Sequence, residues 1–145
     1  MSRHMNFLKI TLDAVPERAV LINEDGGIMF ANQAWTQFGA QNGARGSDWT
    51  ALNYLDECDR AASDGCDMAS RASAEIRAVL AGLQRIGSFQ YPCDEPDRKR
   101  WFRMITSTFD EDGARYAVVL HRDITAAVDL RDHETATRAP EAQHA

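Results

Sequence analysis

Long apolar runs are missing from this chain, and none approaches the roughly 20 consecutive residues that a membrane-spanning helix needs. The first ten residues, Met1 to Ile10, hold no apolar stretch followed by a small-residue cleavage site, so no signal peptide is read there. A cytoplasmic protein with no membrane partner is the expectation. Ser2-Arg3-His4-Met5 resembles a cloning remnant and receives no structural weight. Cysteine is scarce: Cys58, Cys66 and Cys93 are an odd number, form no C-x-x-C pair and have no histidine at zinc-ligand spacing. That argues against a disulfide framework and a zinc site, and leaves buried or incidental thiols. Basic charge is also short, with 16 Lys and Arg against 22 Asp and Glu and a net charge of −6. The densest basic cluster, Arg98-Lys99-Arg100, directly follows Asp94, Glu95 and Asp97, which reads as a charged hairpin turn rather than a phosphate-binding track. No nucleic-acid partner is expected. Enzyme signatures are absent too: no glycine-rich phosphate loop, no H-E-x-x-H and no G-x-S-x-G. Of the 4 histidines, His4, His133 and His144 lie near the ends and His121 lies inside. One interior histidine without a nucleophile or metal partner does not make an active site, so no catalytic or metal-ligating residue is assigned.

What remains is a chain of 145 residues, 44% hydrophobic and 26% charged, enough for one domain with a real core. Leu8, Leu12 and Val15 fall at i, i+4 and i+7, the stripe of a short amphipathic helix ending before Pro16. Ala19-Val20-Leu21-Ile22 and Ile28-Met29-Phe30 flank Asn23-Glu24-Asp25-Gly26-Gly27, a hairpin signal. Asn32 stands where an N-cap belongs, ahead of Ala34, Trp35 and Phe38. Gly39 and the run Asn42 to Ser47 close that helix in a loop. Trp49 to Cys58 holds a turn or two of helix, and Asp59 to Met68, with Gly65 inside it, reads as an inserted or mobile connection. Ala69 to Arg85 is the clearest helix, with Ala72, Ile76, Val79, Leu80 and Leu83 on one face and Gly87 placed to stop it. Ser88 to Cys93 is a strand whose Pro92 suits an edge or bulge. Pro96 to Arg100 is a turn, Trp101 to Phe109 a long strand, Asp110 to Gly113 a second hairpin turn and Tyr116 to His121 the last strand. From His133 onward the polar tail is expected to be frayed.

Four stretches then carry a resemblance. Leu21-Ile22-Asn23-Glu24-Asp25-Gly26 leading to Phe30-Ala31-Asn32-Gln33-Ala34-Trp35, the segment Leu52-Asn53-Tyr54-Leu55-Asp56-Glu57-Cys58, the pair Phe89 to Cys93 and Arg100 to Met104, and His121-Arg122-Asp123-Ile124-Thr125 occur in order. Together they resemble the PAS domains of bacterial histidine kinases and diguanylate cyclases, over about residues 12–126. The resemblance implies an α+β fold: a five-stranded antiparallel sheet with helices on one face, preceded here by the amphipathic helix. Residues 1–16 become a possible dimerisation element, 17–126 the PAS domain, and 127–145 an outgoing helix start with a disordered tail.

The implied function is sensory, without catalysis: a module that binds a small apolar or aromatic ligand, or none, and relays a signal as a homodimer to an effector domain or partner protein. A haem- or flavin-bound redox or gas sensor is the alternative. Alternation puts Phe102, Met104 and Thr106 on one face of their strand and Trp101, Arg103 and Ile105 on the other, and pattern alone does not say which is inward. Resemblance to flavin-binding relatives turns the first set toward the cavity, with Ala117, Val119 and His121 beside it. The implied ligand set is Val20, Ile22, Phe30, Trp35, Ile76, Leu80, Phe102, Met104, Thr106, Val119 and His121. The same residues also read as plain core, and His121 as a satisfied half-buried histidine at a strand end. Asn53 is followed by Tyr54, so the cysteine that forms a flavin adduct in the light-sensing branch is not there. Trp101, Ile105 and Leu120 would form an apolar partner surface on the outer face. Asp123 and Thr125 mark the signalling joint, where a cap worth about 0.5–2 kcal/mol can bias two states.

Overall fold

The computed structural model describes residues 3–41, 48–95 and 98–143. The first hairpin forms because Asn23 folds back on itself. Its Oδ1 accepts hydrogen bonds from the Asp25 and Gly27 amides at 3.0 and 2.9 Å, and Gly26 takes a φ of +95°. This turn joins β1 (Arg18–Asn23) to β2 (Ile28–Ala31). The other tight hairpin joins β4 (Arg98–Glu111) to β5 (Ala114–Asp123) through Asp112 and Gly113, with φ of +52° and +79°. Positive φ at both central residues matches the right-handed twist of the flanking strands. With β3 (Ile86–Glu95) the strands form a five-stranded antiparallel sheet in the order β2-β1-β5-β4-β3. Pro92, which lacks an amide hydrogen, lies on the edge strand β3.

Helices cover both faces. On the inner face lie α2 (Gln33–Gln41), a short 3-10 turn (Trp49–Ala51), α3 (Tyr54–Ser63) and α4 (Asp67–Leu80). Phe102, Met104 and Thr106 point there, with Ala117, Val119, Val20 and Ile22, all buried. On the outer face lies α1 (Arg3–Ala14), which sets Met5, Leu8 and Leu12 against Ala19, Leu21 and the half-buried Phe30, Tyr116 and Leu120. This is the N-terminal helix expected beside the one-faced helical layer, and it takes the other face of the sheet. The stripe of α1 has a partner within its own domain, and Met5 is core rather than remnant. The sequence carried a sign of this, because Ala19, Val20, Leu21 and Ile22 are each 0% exposed. A strand covered on both faces reads as a continuous apolar run instead of an alternation.

Other expectations also change. Phe30 does not face the inner layer. The pairings Leu21↔Phe30 and Ile22↔Ile28 leave Met29 as an extra residue, and this bulge turns Phe30 toward α1 while Ile28 stays inside. Asp59 to Met68 is largely helical, shared between α3 and α4, with Gly65 at φ +96° separating them. Asn53 starts α3 by accepting from the Asp56 amide at 3.0 Å. Helix α4 ends at Leu80 and is stopped by Gly82, not Gly87. Gly82 has φ +77°, and the Leu83 amide reaches the Ala78 carbonyl at 2.9 Å, closing a Schellman motif. Leu83 consequently leaves the helix face and is exposed. Gly87 serves β3 instead, because a Cβ there would lie 2.8 Å from the Thr106 methyl. Arg98 to Arg100 belong to β4, while Asn42 to Ser47 and the turn at 96–97 lie outside the described residues. The tail expected to fray continues as α5 (Thr125–Gln143), in keeping with the strong helix propensity of its alanines.

Asn32 binds these parts together. It is 0% exposed, and its Oδ1 accepts from the Trp35 amide, as an N-cap does, and from the Ala19 amide, each at 3.0 Å. Its Nδ2 donates to the carbonyls of Leu12 and Glu17, each at 2.8 Å. One side chain thus ties the end of α1, the entry to β1 and the first turn of α2.

Candidate functional site

Three buried polar side chains meet beneath the helices. His121 arrives on β5, Tyr91 on β3 and Tyr54 as the first residue of α3. Asn53 sets the last of these: besides capping α3 it donates to the Asp25 carbonyl at 3.0 Å, and the Tyr54 amide donates to Gly26 at 2.8 Å. The first hairpin therefore holds Tyr54 in place. The Tyr54 hydroxyl lies 2.9 Å from Nε2 of His121, and the Tyr91 hydroxyl 2.7 Å from Nδ1.

Charge on this imidazole is strongly disfavoured. Burial, with the Arg18 guanidinium adding to it, lowers the His121 pKa to about 3. Burial also raises both tyrosine hydroxyls above their ordinary value. At neutral pH the cluster is therefore a neutral imidazole between two neutral phenols. A neutral imidazole has one N–H and one acceptor nitrogen, so one tyrosine donates to it and the other accepts from it. The accepting tyrosine keeps its own hydroxyl proton free.

Trp35 of α2 completes the site, its ring 5.8 Å from those of both His121 and Tyr54 and 6.0 Å from Trp49. These groups line a cavity of about 570 Å³ that extends under α3 and the start of α4. Ala61, Ala69 and Ala72 give it room, Leu52 and Met68 add apolar wall, and Cys58 and Glu57 sit on its rim. Burial pushes the Cys58 thiol up to about 11, so it is protonated at neutral pH and not a poised nucleophile. A cavity of this size, mostly apolar with a few convergent polar groups, has the character of a small-molecule site.

Arg18 and His121 also line a second groove of about 450 Å³, whose far side carries Phe102, Arg100 and Asp123. There β5 passes into α5. The Asp123 Oδ1 accepts from the Thr125 amide at 2.9 Å, and its carboxylate pairs with Arg100. Burial works to raise the Asp123 pKa, but the bonds from Thr125 and Arg100 outweigh it and hold the carboxyl below its ordinary value. The Thr125 hydroxyl, itself buried, accepts from the Trp101 amide at 2.9 Å, and the Ile124 amide donates to the Trp101 carbonyl at 2.9 Å. The exit joint is thus fastened to β4, two residues from the imidazole.

Of the residues expected to meet a ligand, Trp35 and His121 line the main cavity. Val20, Ile22, Ile76, Met104, Thr106 and Val119 are fully buried core beneath it, and Phe102 borders the second groove. Leu80 lies with Leu55 and Arg77 in a separate shallow groove, and Phe30 is on the opposite face. Arg18, Tyr54, Tyr91, Trp49 and the small-residue face of α4 were not expected. Among the described residues no group of three or more His, Cys, Asp or Glu is gathered as a metal site would require, and no helix is long and apolar enough to cross a membrane.

Comparison with known proteins agrees with this architecture. A family model described as the PAS fold matches residues 12–129. A 104.1 kDa uncharacterised protein from the hypE 3′ region of Rhodobacter capsulatus is 39% identical over 145 residues; the match covers 97% of this chain and 14% of that protein. Among solved structures, the PAS domain of Bordetella pertussis BvgS has a TM-score of 0.63 at 13% identity, covering 95% of this chain and 99% of that one. A phage VqmA in complex with DPO has a TM-score of 0.62 at 16% identity, covering 92% and 59%.

Proposed function

Because the chain belongs to the PAS fold family, whose members are sensory domains of signalling proteins, we propose that it senses a small molecule of apolar or aromatic body held in the cavity beneath α3 and α4. The observation that carries this reading is the placement of the Tyr54–His121–Tyr91 cluster, which lines the cavity while its histidine lies two residues before the Asp123–Thr125 joint. A ligand that takes the free tyrosine proton, or displaces Trp35, repositions His121 on β5, and β5 leads directly into α5. The module then passes the change to an effector domain or a partner protein. The length of the Rhodobacter relative, of which this chain matches a small part, supports an output carried elsewhere.

Signalling as a homodimer is the second part of the proposal. With Met5, Leu8 and Leu12 turned onto its own sheet, α1 leaves Phe7 and Ile10 72% and 70% exposed. A second copy of α1 is the natural cover. Replacing both residues with serine should leave melting unchanged and shift sedimentation from dimer to monomer. A dimer that survives the replacement places the interface elsewhere.

The residues present do not suit haem held by His121, because both ring nitrogens are engaged by tyrosines and ligation would break that cluster. Nor does an adduct-forming flavin find its cysteine, since Tyr54 follows Asn53 where that cysteine would stand. Native mass spectrometry of the isolated protein tests the ligand reading. An extra mass of a few hundred daltons that denaturation removes is expected, and its loss in an Ala72→Trp variant would place it in the cavity. Mass retained in that variant would contradict the assignment.

A further inference from the structure

The charges around the two grooves do not balance, and the remainder is Arg18. Each acid on the groove walls has its own cation: Glu17 pairs with Arg122 at 3.4 Å, Asp123 with Arg100, and Glu57 with Arg60 at 3.1 Å. Among the described residues Arg18 has no carboxylate partner. Its guanidinium lies 3.9 Å from the Phe38 ring centre and 5.0 Å from that of Phe102. The rings hold the cation's faces, and its N–H edge bonds the Tyr91 hydroxyl but meets no carboxylate among the described residues. Through its pairing with His121 across β1 and β5 it lines both grooves. Its field reaches Tyr54, Tyr91 and His121 alike.

The other polar groups of the cavity have the same sense. The neutral imidazole leaves one tyrosine hydroxyl with a free proton, and the Cys58 thiol is protonated. The one carboxylate on the rim, Glu57, is already neutralised by Arg60. The cavity therefore offers hydrogen-bond donors and an unmatched positive charge, set against a wall formed by Trp35, Trp49, Leu52, Met68, Ala69 and Ala72. A neutral apolar ligand would leave the guanidinium without its ion. A polyanion would find one unmatched cation and a mostly apolar chamber. We propose that the occupant is an amphipathic monocarboxylate, an apolar or aromatic body bearing one carboxylate, and that Arg18 is the residue that pairs with the carboxylate. The proposal rests on the reading of this cavity as a ligand site.

Binding of phenylacetate and indoleacetate, and of their neutral amides, to the nitrogen-15-labelled protein tests this by nuclear magnetic resonance. The indole N–H signals of Trp35 and Trp49 report entry into the cavity, and the Arg18 side-chain signal reports pairing. The acids should bind at least about ten-fold more tightly than the amides, the scale of one charge-assisted hydrogen bond. Arg18→Gln should abolish that preference, and Arg18→Lys should keep part of it, which also decides the question if Arg18→Gln does not fold. Acids and amides that bind equally, or a preference that survives in Arg18→Gln, would overturn the role of Arg18 and leave the cavity a ligand site. Failure of all four compounds to move the two indole signals would overturn both.

Discussion

Lowering the pH from 7 to 5 should act on this fold through His121. The unfolded chain takes up the imidazole proton near pH 6.5, whereas the folded chain holds it off until about pH 3. The folded pKa is depressed, so its contribution is undiminished above about pH 6.5 and is lost progressively as the pH falls toward 3. At 1.36 kcal/mol per unit, the 1.5 units between 6.5 and 5 correspond to about 2 kcal/mol. Burial is the main cause, and the geometry agrees, because a protonated ring would have two N–H groups and both tyrosines would have to accept. Asp59, held at about 2 first of all by its bond from Arg77, contributes only below its ordinary 3.8, so a window from pH 5 to 7 isolates the histidine. Urea unfolding of the native chain and of His121→Gln at pH 7 and pH 5 measures the effect. The native chain should lose about 2 kcal/mol more than the variant between these values. Parallel losses would show that His121 is not held neutral, and the reasoning about the cluster would fail with it.

Asn32→Ala strips partners from the Ala19 amide and the carbonyls of Leu12 and Glu17, and should cost about 3 kcal/mol or more in chemical denaturation, beyond the cost of an ordinary cap. Met104→Lys places an unpaired charge at a site 0% exposed and should cost at least about 3 kcal/mol, while Arg103→Lys on the half-buried outer face should cost less than about 1. Comparable melting temperatures for the two would show that the inner and outer faces are reversed. Asp123→Ala removes the bond to the Thr125 amide and the Arg100 pair, so residues 124–132 should exchange amide hydrogens faster while residues 101–109 keep their protection. Loss of protection in both segments would make Asp123 part of the core instead of a separable joint.

Local chemistry in the sequence was enough to place the hairpin turns, the Asn32 cap and the chain order of strands and helices, because each depends on residues close in the chain; alternation gave the two faces of β4, and the resemblance to flavin-binding relatives chose the inward one. The errors came from effects at longer range. Phe30 was misplaced because a one-residue bulge inverts a face without changing the composition. The helix stop was placed at Gly87 rather than Gly82, because a positive φ decides it and spacing does not reveal one. The cavity itself was poorly legible. Large apolar residues such as Ile76 and Met104 suggested a binding wall, yet they fill the core, and the space lies where Ala61, Ala69 and Ala72 are small. Tyr54 and Tyr91 are 37 positions apart and converge on His121 only through the tertiary fold.

If the cavity holds the signal, its occupancy reaches the exit joint through His121. Ala69 lies on the cavity wall at 5% exposure, so Ala69→Phe directs a ring into that space as a fixed occupant. Hydrogen exchange should then change across residues 124–132 and little across residues 101–109, and the change should vanish when His121→Gln is added. Exchange at 124–132 that is unaltered by the filled cavity, or altered equally with and without His121, would contradict the claim.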